Sequence, residues 1–504
     1  MRPSPASLTR YALALAIFTV AAFHIPFFRH LVGSLEGGFN GVVLFVSTVL
    51  LLLALDFLLY YLLAFLLRGV GKGLICFTLF GDAVMLYFVN HYEVLVTDDM
   101  MGNVLRTQWT EASGFFSLSF VLYVLALCVI PSLYVFGRNV SYGSWKQLLS
   151  RAGVSLALVL GVAFGNMKNW PWIDRNATEL GSLLMPWSYT VNTFRYLGAE
   201  KRRNARAIPL PDATAISSSR DVCILVIGES ARRDHLAYYG YGRNTNPYTA
   251  GDGMKAYVAE SSATYTAAGV KAILEPVDAP ELHEILPNYL YRMGADVIWR
   301  TSNWGEPPVH IDKYFTDTQL RERHPEVTDP YDGILLAGLK EEILSSSADK
   351  VFVVLHTNTN HGPAYNTKYP PQFEVFTPVC STVEMAKVSQ EELFNAYDNS
   401  LVYTDFLLHE LIGMLRDIPQ RRSCLLYVSD HGESLGENNL YMHGVPMSMA
   451  PREQIEIPFL VWTDDAALKL KELPAVGQHH VFHSVLRFLG VETPAFDESK
   501  CIFE

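Results

Sequence analysis

Metal-binding side chains follow two apolar runs that lie far apart in the chain. Asp430 and His431 come soon after the run 424–428, and Glu229 comes soon after the run 222–227. Carboxylate oxygens and imidazole nitrogens are common protein ligands of zinc. If both runs are strands of one parallel sheet, their ends meet at the edge where open α/β sheets hold their active sites. The pattern predicts one metal centre assembled by folding, although a lone acid after a strand is more often a cap or turn residue.

The candidate nucleophile is Thr264, in the small-residue segment 261–268. A short helix is predicted after it, running to about Leu274 before Pro276. At a helix amino terminus, free backbone amides and the helix dipole hold an anionic phosphate, and a nearby metal lowers the pKa of a hydroxyl. The alternative interpretation of Thr264 is a simple helix cap. Thr266 is the competing nucleophile if the helix starts later.

An alternation of strands and helices after residue 215 would position these residues. Predicted strands occupy 222–227, 296–300, 351–355, 424–428 and 457–462, and helical periodicity is clearest at 393–415. Such alternation is typical of a mostly parallel sheet with helices on both faces. The predicted fold class of 215–504 is therefore α/β.

The first third of the chain is apolar and carries few charges. Five stretches have lengths near the roughly 20 residues that cross a bilayer as a helix. They lie at 8–27, 41–67, 74–90, 116–136 and 148–165. The sequence therefore predicts a transmembrane domain of five helices over 1–166, a juxtamembrane linker over 167–214 and a catalytic domain over 215–504.

The charges of the short loops predict the orientation. Arg68, Lys72 and Arg138 lie in loops on one side of the predicted membrane, and the loop between the third and fourth helices is mainly acidic. Because basic loops stay in the cytoplasm, the amino terminus is predicted to be cytoplasmic. Everything beyond about residue 166 is then outside.

Composition excludes some classes of function. The chain has 504 residues, 50% of them hydrophobic, and a net charge of −12, which argues against a nucleic-acid partner. It has six cysteines, which is few for a large domain outside the cytoplasm. Only Cys380 and Cys501 look available for a disulfide, and pairing cannot be deduced from sequence.

Five motifs, in this order, carry a family resemblance. They are GESARRDH at 228–235, GYGRNTNP at 240–247, NHGPAY at 360–365, YDNSLVYTD at 397–405 and SDHGESLGE at 429–437. They resemble motifs of the bacterial phosphoethanolamine transferases, which are membrane enzymes with a periplasmic domain of the alkaline phosphatase and sulfatase superfamily. The resemblance covers nearly the whole chain, including the five predicted helices.

The resemblance implies a metal site and two further histidines. It implies one tightly bound zinc, held by Glu229, Thr264, Asp430 and His431. It also implies that His361 and His443 lie beside the metal, where they contact the substrate phosphate, protonate the leaving group or hold a second zinc. The alternative for a single histidine before glycine is an ordinary loop residue.

The resemblance also points to residues in the membrane portion. Asn103, Thr107 and Glu111 are spaced so that they share one face of a helix, and the corresponding triplet of the family is associated with substrate binding. A solvated loop position is the alternative.

Asp56 and Asp82 lie within predicted membrane helices, where an acid is costly enough to suggest a packing or headgroup role. The sequence does not identify their partners.

The implied reaction is transfer of phosphoethanolamine from phosphatidylethanolamine to lipopolysaccharide or lipooligosaccharide. We expect Thr264 to attack the donor phosphorus, so that the acceptor then takes phosphoethanolamine from a covalent threonine adduct. Family members that modify lipid A often carry several disulfides and an Asn-Asn-Ser-Gly-Cys-Lys type of loop, whereas this chain has few cysteines and a different loop at 300–308. These departures favour a core heptose as acceptor over a lipid A phosphate.

Several alternatives remain open. Lipid A phosphate or another periplasmic glycan could be the acceptor, and a glycerol-phosphate transferase of the lipoteichoic acid type shares the architecture and the metal. A secreted-type sulfatase or phosphatase would not need five membrane helices. A membrane scaffold with an inactive hydrolase domain is the non-enzymatic alternative, and the complete set of metal ligands argues against it.

Overall fold

The structure is a computed structural model, in which the chain folds into two units. It describes residues 5–35, 38–107, 112, 115–169, 172–173, 176–203, 207–382 and 385–504. The units are Met1–Tyr196 and Leu197–Glu504, called here the helical unit and the sheet unit. The division falls inside the predicted linker 167–214. The predicted domain boundaries themselves stay predictions.

The helical unit is built mainly from helices. They are α1 (Leu8–Phe23), α2 (Ile25–Ser34), α3 (Phe39–Tyr92), α4 (Asp98–Arg106), α5 (Leu118–Gly137), α6 (Trp145–Gly165), α7 (Ala177–Ser182) and α8 (Trp187–Arg203), of which α8 continues past Tyr196. A short parallel pair joins Ala6–Ser7 to Val140–Ser141. Helices α1 and α6 both pack against α3.

In the described part of the chain, fewer helices than the predicted five are long and apolar enough to cross a membrane. Among the described residues, α3, α5 and α6 qualify, and the pair α1 and α2, bent by 63°, would be a fourth. The predicted total of five is therefore not confirmed. Helix α3 has 54 residues, and a straight helix of that length would measure about 80 Å against a hydrocarbon core of about 30 Å. Its backbone leaves helical geometry at Arg68, with φ 47° and ψ −110°.

The two buried acids of the helical unit have aromatic partners. Trp187 Nε1 donates to Asp56 Oδ1 over 3.0 Å, and the hydroxyl of Tyr189 donates to Asp82 Oδ1 over 3.1 Å. Both acids are fully buried, and each therefore needs a donor to offset the loss of water. These bonds attach the start of α8 to α3 and supply the partners that the sequence could not identify.

The sheet unit contains an eight-stranded mixed sheet. Its strands are β1 (Asp221–Gly228), β2 (Lys255–Glu260), β3 (Asp296–Thr301), β4 (Lys313–Thr316), β5 (Lys350–His356), β6 (Arg422–Ser429), β7 (Glu456–Thr463) and β8 (Val476–Gly477). Their order in the sheet is β8-β2-β7-β6-β1-β5-β3-β4. Strands β6, β1, β5, β3 and β4 are parallel neighbours, whereas β7 is antiparallel to β6 and β2. The predicted mostly parallel α/β sheet is confirmed.

Helices surround this sheet. They are α9 (Thr266–Leu274), α10 (Leu286–Arg292), α11 (Asp317–Arg323), α12 (Leu339–Ser345), α13 (Gln390–Arg416), α14 (Arg452–Ile455) and α15 (His480–Phe488). Every residue of β1 and β5 is buried, as expected for parallel strands covered on both faces.

All six cysteines lie in the described part of the chain and are free thiols.

Candidate active site

The strand register brings the predicted ligands together. Gly228 of β1 pairs with Ser429 of β6, so Glu229 and Asp430 are the first residues beyond two adjacent parallel strands. The amide of Asp430 donates to the carbonyl of Gly228 over 3.1 Å. Glu229, Asp430 and His431 are fully buried, and one polar atom of each lies within 4.8 Å of the others. The carboxyl edge of the sheet therefore holds the cluster that the sequence predicts.

Ser429 joins the two strand ends. Its hydroxyl donates to the carbonyl of Glu229 and accepts from the amide of Ala231 over 3.0 Å. Two residues after Ser429, the imidazole of His431 has its Nδ1 atom 2.9 Å from the carbonyl oxygen of Gly432. A proton on Nδ1 satisfies that carbonyl and leaves the lone pair of Nε2 for the centre of the cluster, which is the arrangement of a metal-binding imidazole.

The structure replaces Thr264 with Thr266 as the threonine of the cluster. Thr264 Oγ1 donates to the carbonyl of Val445 over 2.6 Å. Thr266 Oγ1 instead lies 3.3 Å from Glu229 Oε1 and 3.4 Å from His431 Nε2. Helix α9 begins at Thr266, two residues later than Thr264, which is the condition under which the sequence favours this residue. The predicted placement of Thr264 in the cluster is therefore corrected to Thr266, whereas the metal-ligand and nucleophile roles themselves stay predictions.

The spacing of the polar atoms fits a tetrahedral metal ion. His431 Nε2 lies 3.5 Å from Glu229 Oε1 and 3.5 Å from Asp430 Oδ2. The distances from Thr266 Oγ1 to Glu229 Oε1 and to His431 Nε2, 3.3 and 3.4 Å, are similar. Ligand atoms about 2.0–2.1 Å from a tetrahedral zinc are about 3.3–3.4 Å from one another. Asp430 Oδ2 is buried and has no hydrogen-bond partner among the described residues. The donor set of two carboxylates, one imidazole and one hydroxyl thus suits zinc.

The two buried carboxyl groups of the cluster also favour a bound cation. Burial raises the pKa of the Glu229 carboxyl, but its hydrogen bond to His431 and the nearby histidines bring that pKa well below its usual range. Burial and then the charge of Glu229 raise the pKa of Asp430 well above its usual range. Two adjacent buried carboxylates cannot both stay charged without compensation. A divalent cation at this point would supply it.

Two further histidines line the site, as the sequence predicts. His361 Nε2 lies 3.8 Å from Glu229 Oε1, and burial lowers the pKa of this imidazole to about 3. His443 Nδ1 lies 2.9 Å from Glu433 Oε2. Burial lowers the pKa of His443, but the charge of Glu433 raises it above its ordinary value. The ring centroids of His443 and His431 are 4.2 Å apart. Both imidazoles can thus reach a group bound at the cluster.

Helix α13 braces the loops that carry these residues. The hydroxyl of Tyr397 donates to the carbonyl of Ser230 over 2.6 Å and accepts from the amide of Arg232 over 2.8 Å. One turn later, Ser400 Oγ accepts from Asn360 Nδ2 over 2.8 Å. The motif at 397–405 therefore has a structural task, because it fixes the segments that follow β1 and β5.

The sequence analysis missed the residue that orients Glu229. Asn303 Nδ2 donates to Glu229 Oε2 over 2.6 Å and to the carbonyl of Thr357 over 2.9 Å. Asn303 follows β3, which pairs with β5, so a fourth strand end contributes to the site. The loop at 300–308 was noted only for its departure from the family pattern, and an asparagine soon after a strand was the available signal.

Comparisons with known proteins agree with this site. A family model described as phosphoethanolamine transferase EptA/EptB matches residues 45–200, and one described as sulfatase matches residues 221–491. The phosphoethanolamine transferase EptA of Helicobacter pylori is 36% identical over 425 residues, which cover 82% of this chain and 81% of that protein. This chain belongs to the phosphoethanolamine transferase family.

Two solved structures of phosphoethanolamine transferases are similar to the fold. The integral membrane protein lipooligosaccharide phosphoethanolamine transferase A from Neisseria meningitidis is 26% identical, with a TM-score of 0.86 and coverage of 98% of each chain. The periplasmic domain of the phosphoethanolamine transferase EptC from Campylobacter jejuni is 31% identical, with a TM-score of 0.52, and covers 59% of this chain and 97% of that one. The family resemblance predicted from the motifs is confirmed.

Two of the three membrane-side residues predicted for this phosphoethanolamine transferase are described. Asn103 lies in α4, and Thr107 caps its end, where the amide and hydroxyl of Thr107 bond to the carbonyl of Asn103 over 2.8 and 2.9 Å. Both lie in the helical unit. Glu111 lies outside the described residues. Their role in substrate binding stays a prediction.

Proposed function

We propose that this transferase moves phosphoethanolamine from phosphatidylethanolamine to a lipopolysaccharide-type glycolipid at a zinc site. Glu229, Thr266, Asp430 and His431 would hold the metal. The main observation that supports the proposal is the position of Thr266 Oγ1, which lies 3.3 Å from Glu229 Oε1 and 3.4 Å from His431 Nε2. When bound, zinc would lower the pKa of the threonine hydroxyl and offset negative charge at the phosphoryl oxygens.

In the first step, Thr266 passes its hydroxyl proton to Glu229 Oε1, which already accepts its hydrogen bond over 3.3 Å, and attacks the phosphorus of the donor. A bond forms between Oγ1 and phosphorus, and the bond between phosphorus and the diacylglycerol oxygen breaks. That oxygen takes a proton and leaves as diacylglycerol. The candidate proton donor is His443, because burial lowers the pKa of His361 to about 3 and leaves that imidazole neutral. His361 is the candidate proton acceptor, and both histidines have a ring nitrogen within 4.8 Å of a Glu229 oxygen. The first amides of α9 have no partner within the helix and can bind phosphoryl oxygens.

In the second step, an acceptor oxygen replaces Thr266. The acceptor loses its proton to one of the same histidines, its oxygen bonds to phosphorus, and Thr266 Oγ1 leaves and regains a proton. One tightly held zinc is enough for both steps. The ligand atoms of His431, Glu433 and His443 also lie within 4.8 Å of one another, and this second group could hold another ion.

The acceptor proposed is a glycolipid of the lipopolysaccharide or lipooligosaccharide type. The Neisseria meningitidis relative is named for lipooligosaccharide, and a Salmonella typhimurium relative, 24% identical over 512 residues, is named Kdo(2)-lipid A phosphoethanolamine 7''-transferase. Within this class we keep the core heptose as the favoured acceptor, because the loop at 300–308 differs from the loop typical of lipid A modifiers. Lipid A phosphate is the alternative.

We also propose that the chain is a multi-pass protein of the bacterial inner membrane, with the sheet unit in the periplasm. Five spans follow if α3 crosses the membrane twice and divides at Arg68, the position of its non-helical backbone. The loop charges support this orientation. A membrane location would keep the active site close to both lipid substrates and raise their effective concentration.

A covalent adduct tests the mechanism. Purified full-length protein exposed to phosphatidylethanolamine should gain the mass of one phosphoethanolamine, and peptide mapping should place it on Thr266. Thr266→Ala should abolish the adduct and the transfer, whereas Thr264→Ala should still form the adduct. An adduct on Thr264 would restore the sequence-based assignment. Transfer with no adduct and with inversion at phosphorus would exclude the covalent route.

Mass spectrometry of envelope glycolipids tests the acceptor. Deleting the gene should remove one phosphoethanolamine from the released core oligosaccharide and leave lipid A unchanged. Complementation with Thr266→Ala should fail to restore it. Loss confined to lipid A would move the acceptor to a lipid A phosphate without affecting the donor chemistry.

A further inference from the structure

The loop from Asn303 to Gly305 touches three parts of the active site in succession. Asn303 donates to Glu229 Oε2 over 2.6 Å. The ring of Trp304 lies against His361, with centroids 5.5 Å apart and planes at 55°. A side chain at Gly305 would come within 3.3 Å of Thr266 Cγ2. The backbone of this loop therefore lies directly against the residue that attacks phosphorus in the proposed function.

The loop is built to hold this position. Asn303 Oδ1 accepts the amide of Trp304 over 2.9 Å, so the asparagine that orients Glu229 also fixes the tryptophan backbone. Gly305 has φ +102°, a conformation that side-chain-bearing residues rarely adopt. Because both neighbours are constrained, Trp304 is held beside the cluster. Its ring is half-buried, and thus part of its surface is accessible to a ligand.

We infer that Trp304 is a specificity-determining residue whose indole ring binds the ammonium group of phosphoethanolamine. The inference rests on the proposed function. Phosphoethanolamine is the one group present in both half-reactions, and its ammonium lies a few ångströms from phosphorus. The ring of Trp304 lies against His361, and the next residue, Gly305, lies against Thr266, so we expect the ring to be within that reach. Tryptophan is the best side chain for a cation–π contact, which forms when a cation lies within about 6 Å of the ring centroid.

The test compares two donors that differ only in charge. Phosphatidylethanolamine and phosphatidylpropanol have the same diacylglycerol leaving group and headgroups of nearly the same size, with a methyl group in place of the ammonium. The measurement is the rate of adduct formation on Thr266 in full-length protein, before any acceptor is added. The ratio of the two rates then reports headgroup recognition alone.

Wild-type protein should prefer phosphatidylethanolamine, and Trp304→Ala should reduce that preference by about tenfold. Trp304→Phe should retain part of it, since phenylalanine keeps an aromatic face. The control is Tyr291→Ala, because Tyr291 is another partly exposed aromatic residue of the sheet unit and should leave the ratio unchanged. Zinc content near one per chain in each variant would show that the site is intact.

Three results would overturn the inference. An equal loss of rate with both donors would mean that the ring only shapes the site. A defect seen only when glycolipid discharges the adduct would assign Trp304 to the acceptor instead. Failure of wild-type protein to form an adduct with either donor would refute the covalent route and this inference with it, whereas the first two results leave the proposed function standing.

Discussion

The hydroxyl of Thr266 donates to Oε1 of Glu229 over 3.3 Å, although the two residues are 37 positions apart in the chain. The contact joins the start of helix α9 to the end of strand β1. It places the proposed nucleophile at a helix amino terminus and a proposed metal ligand at a strand end within one buried cluster. Three experiments test this cluster and its support, and a fourth tests the ion pairs at the start of β1.

The first prediction concerns the metal itself. The purified chain should hold about one zinc, because the site offers four ligands with tetrahedral spacing. Asp430→Ala should lose both zinc and transfer activity, measured by elemental analysis and by product formation. Asp417→Ala is the control, since Asp417 is an exposed partner of Lys340 and contacts no ligand. Full activity after exhaustive chelation would contradict the zinc site.

The second prediction concerns the support of Glu229. Asn303→Ala should weaken zinc binding by about 10- to 100-fold, because Glu229 Oε2 loses the donor that orients it. Competition with a chelator of known affinity would measure the change. Asn288→Ala is the matched control, because Asn288 bonds to Pro308 and His310 in the same region and not to a ligand. Unchanged zinc affinity in Asn303→Ala would show that the hydrogen bond has no such role.

The third prediction concerns the close approach of helix α9 to β6. A Cβ at Gly269 would overlap the carbonyl oxygen of Asp430. Gly269→Ala should therefore displace the helix or the ligand, and reduce the melting temperature, zinc content and activity together. Gly413→Ala places the same change in α13, where nothing lies within 4 Å, and should stabilise by about 0.5–1 kcal/mol. Equal behaviour of the two variants would argue against tight packing at Gly269.

The fourth prediction concerns pH. Asp221, at the start of β1, is paired with Lys350 and Arg422. Burial raises the pKa of its carboxyl, but these two cations bring it below the ordinary value. A lowered pKa in the folded state stabilises the fold above the unfolded pKa of about 3.9, and this contribution is lost as the pH falls through the folded pKa.

Asp221→Asn should therefore destabilise the chain by about 3–5 kcal/mol at neutral pH, since it leaves the buried Lys350 without a carboxylate, whereas Arg422 keeps its pair with Asp465. The difference from wild type should shrink below about pH 4. Melting temperatures across pH would measure it. Asp417→Asn removes an exposed partner of Lys340 and should cost no more than about 1 kcal/mol. A difference that does not change with pH would mean that the charge of Asp221 is not the cause.

The amino-acid sequence by itself determined the class of fold and most of the residues that form the candidate metal site. Buried parallel strands are short apolar runs, and the residues beyond their ends are Glu229, Asp430 and His431, so local pattern was sufficient to find them. The predicted strand 222–227 became Asp221–Gly228, and the predicted strand 424–428 became Arg422–Ser429. Two of the family motifs, at 228–235 and 429–437, lie at these same strand ends, and the family resemblance predicted the chemistry.

Only the tertiary structure decided which threonine joins the cluster and what supports it. Thr264 and Thr266 are chemically alike, and the choice depends on where α9 starts, which in turn depends on packing against Asp430. Asn303 meets Glu229 only because β3 and β5 are neighbours in the sheet. Contacts between residues distant in the chain depend on strand order and helix packing, and no local pattern of residues specifies them.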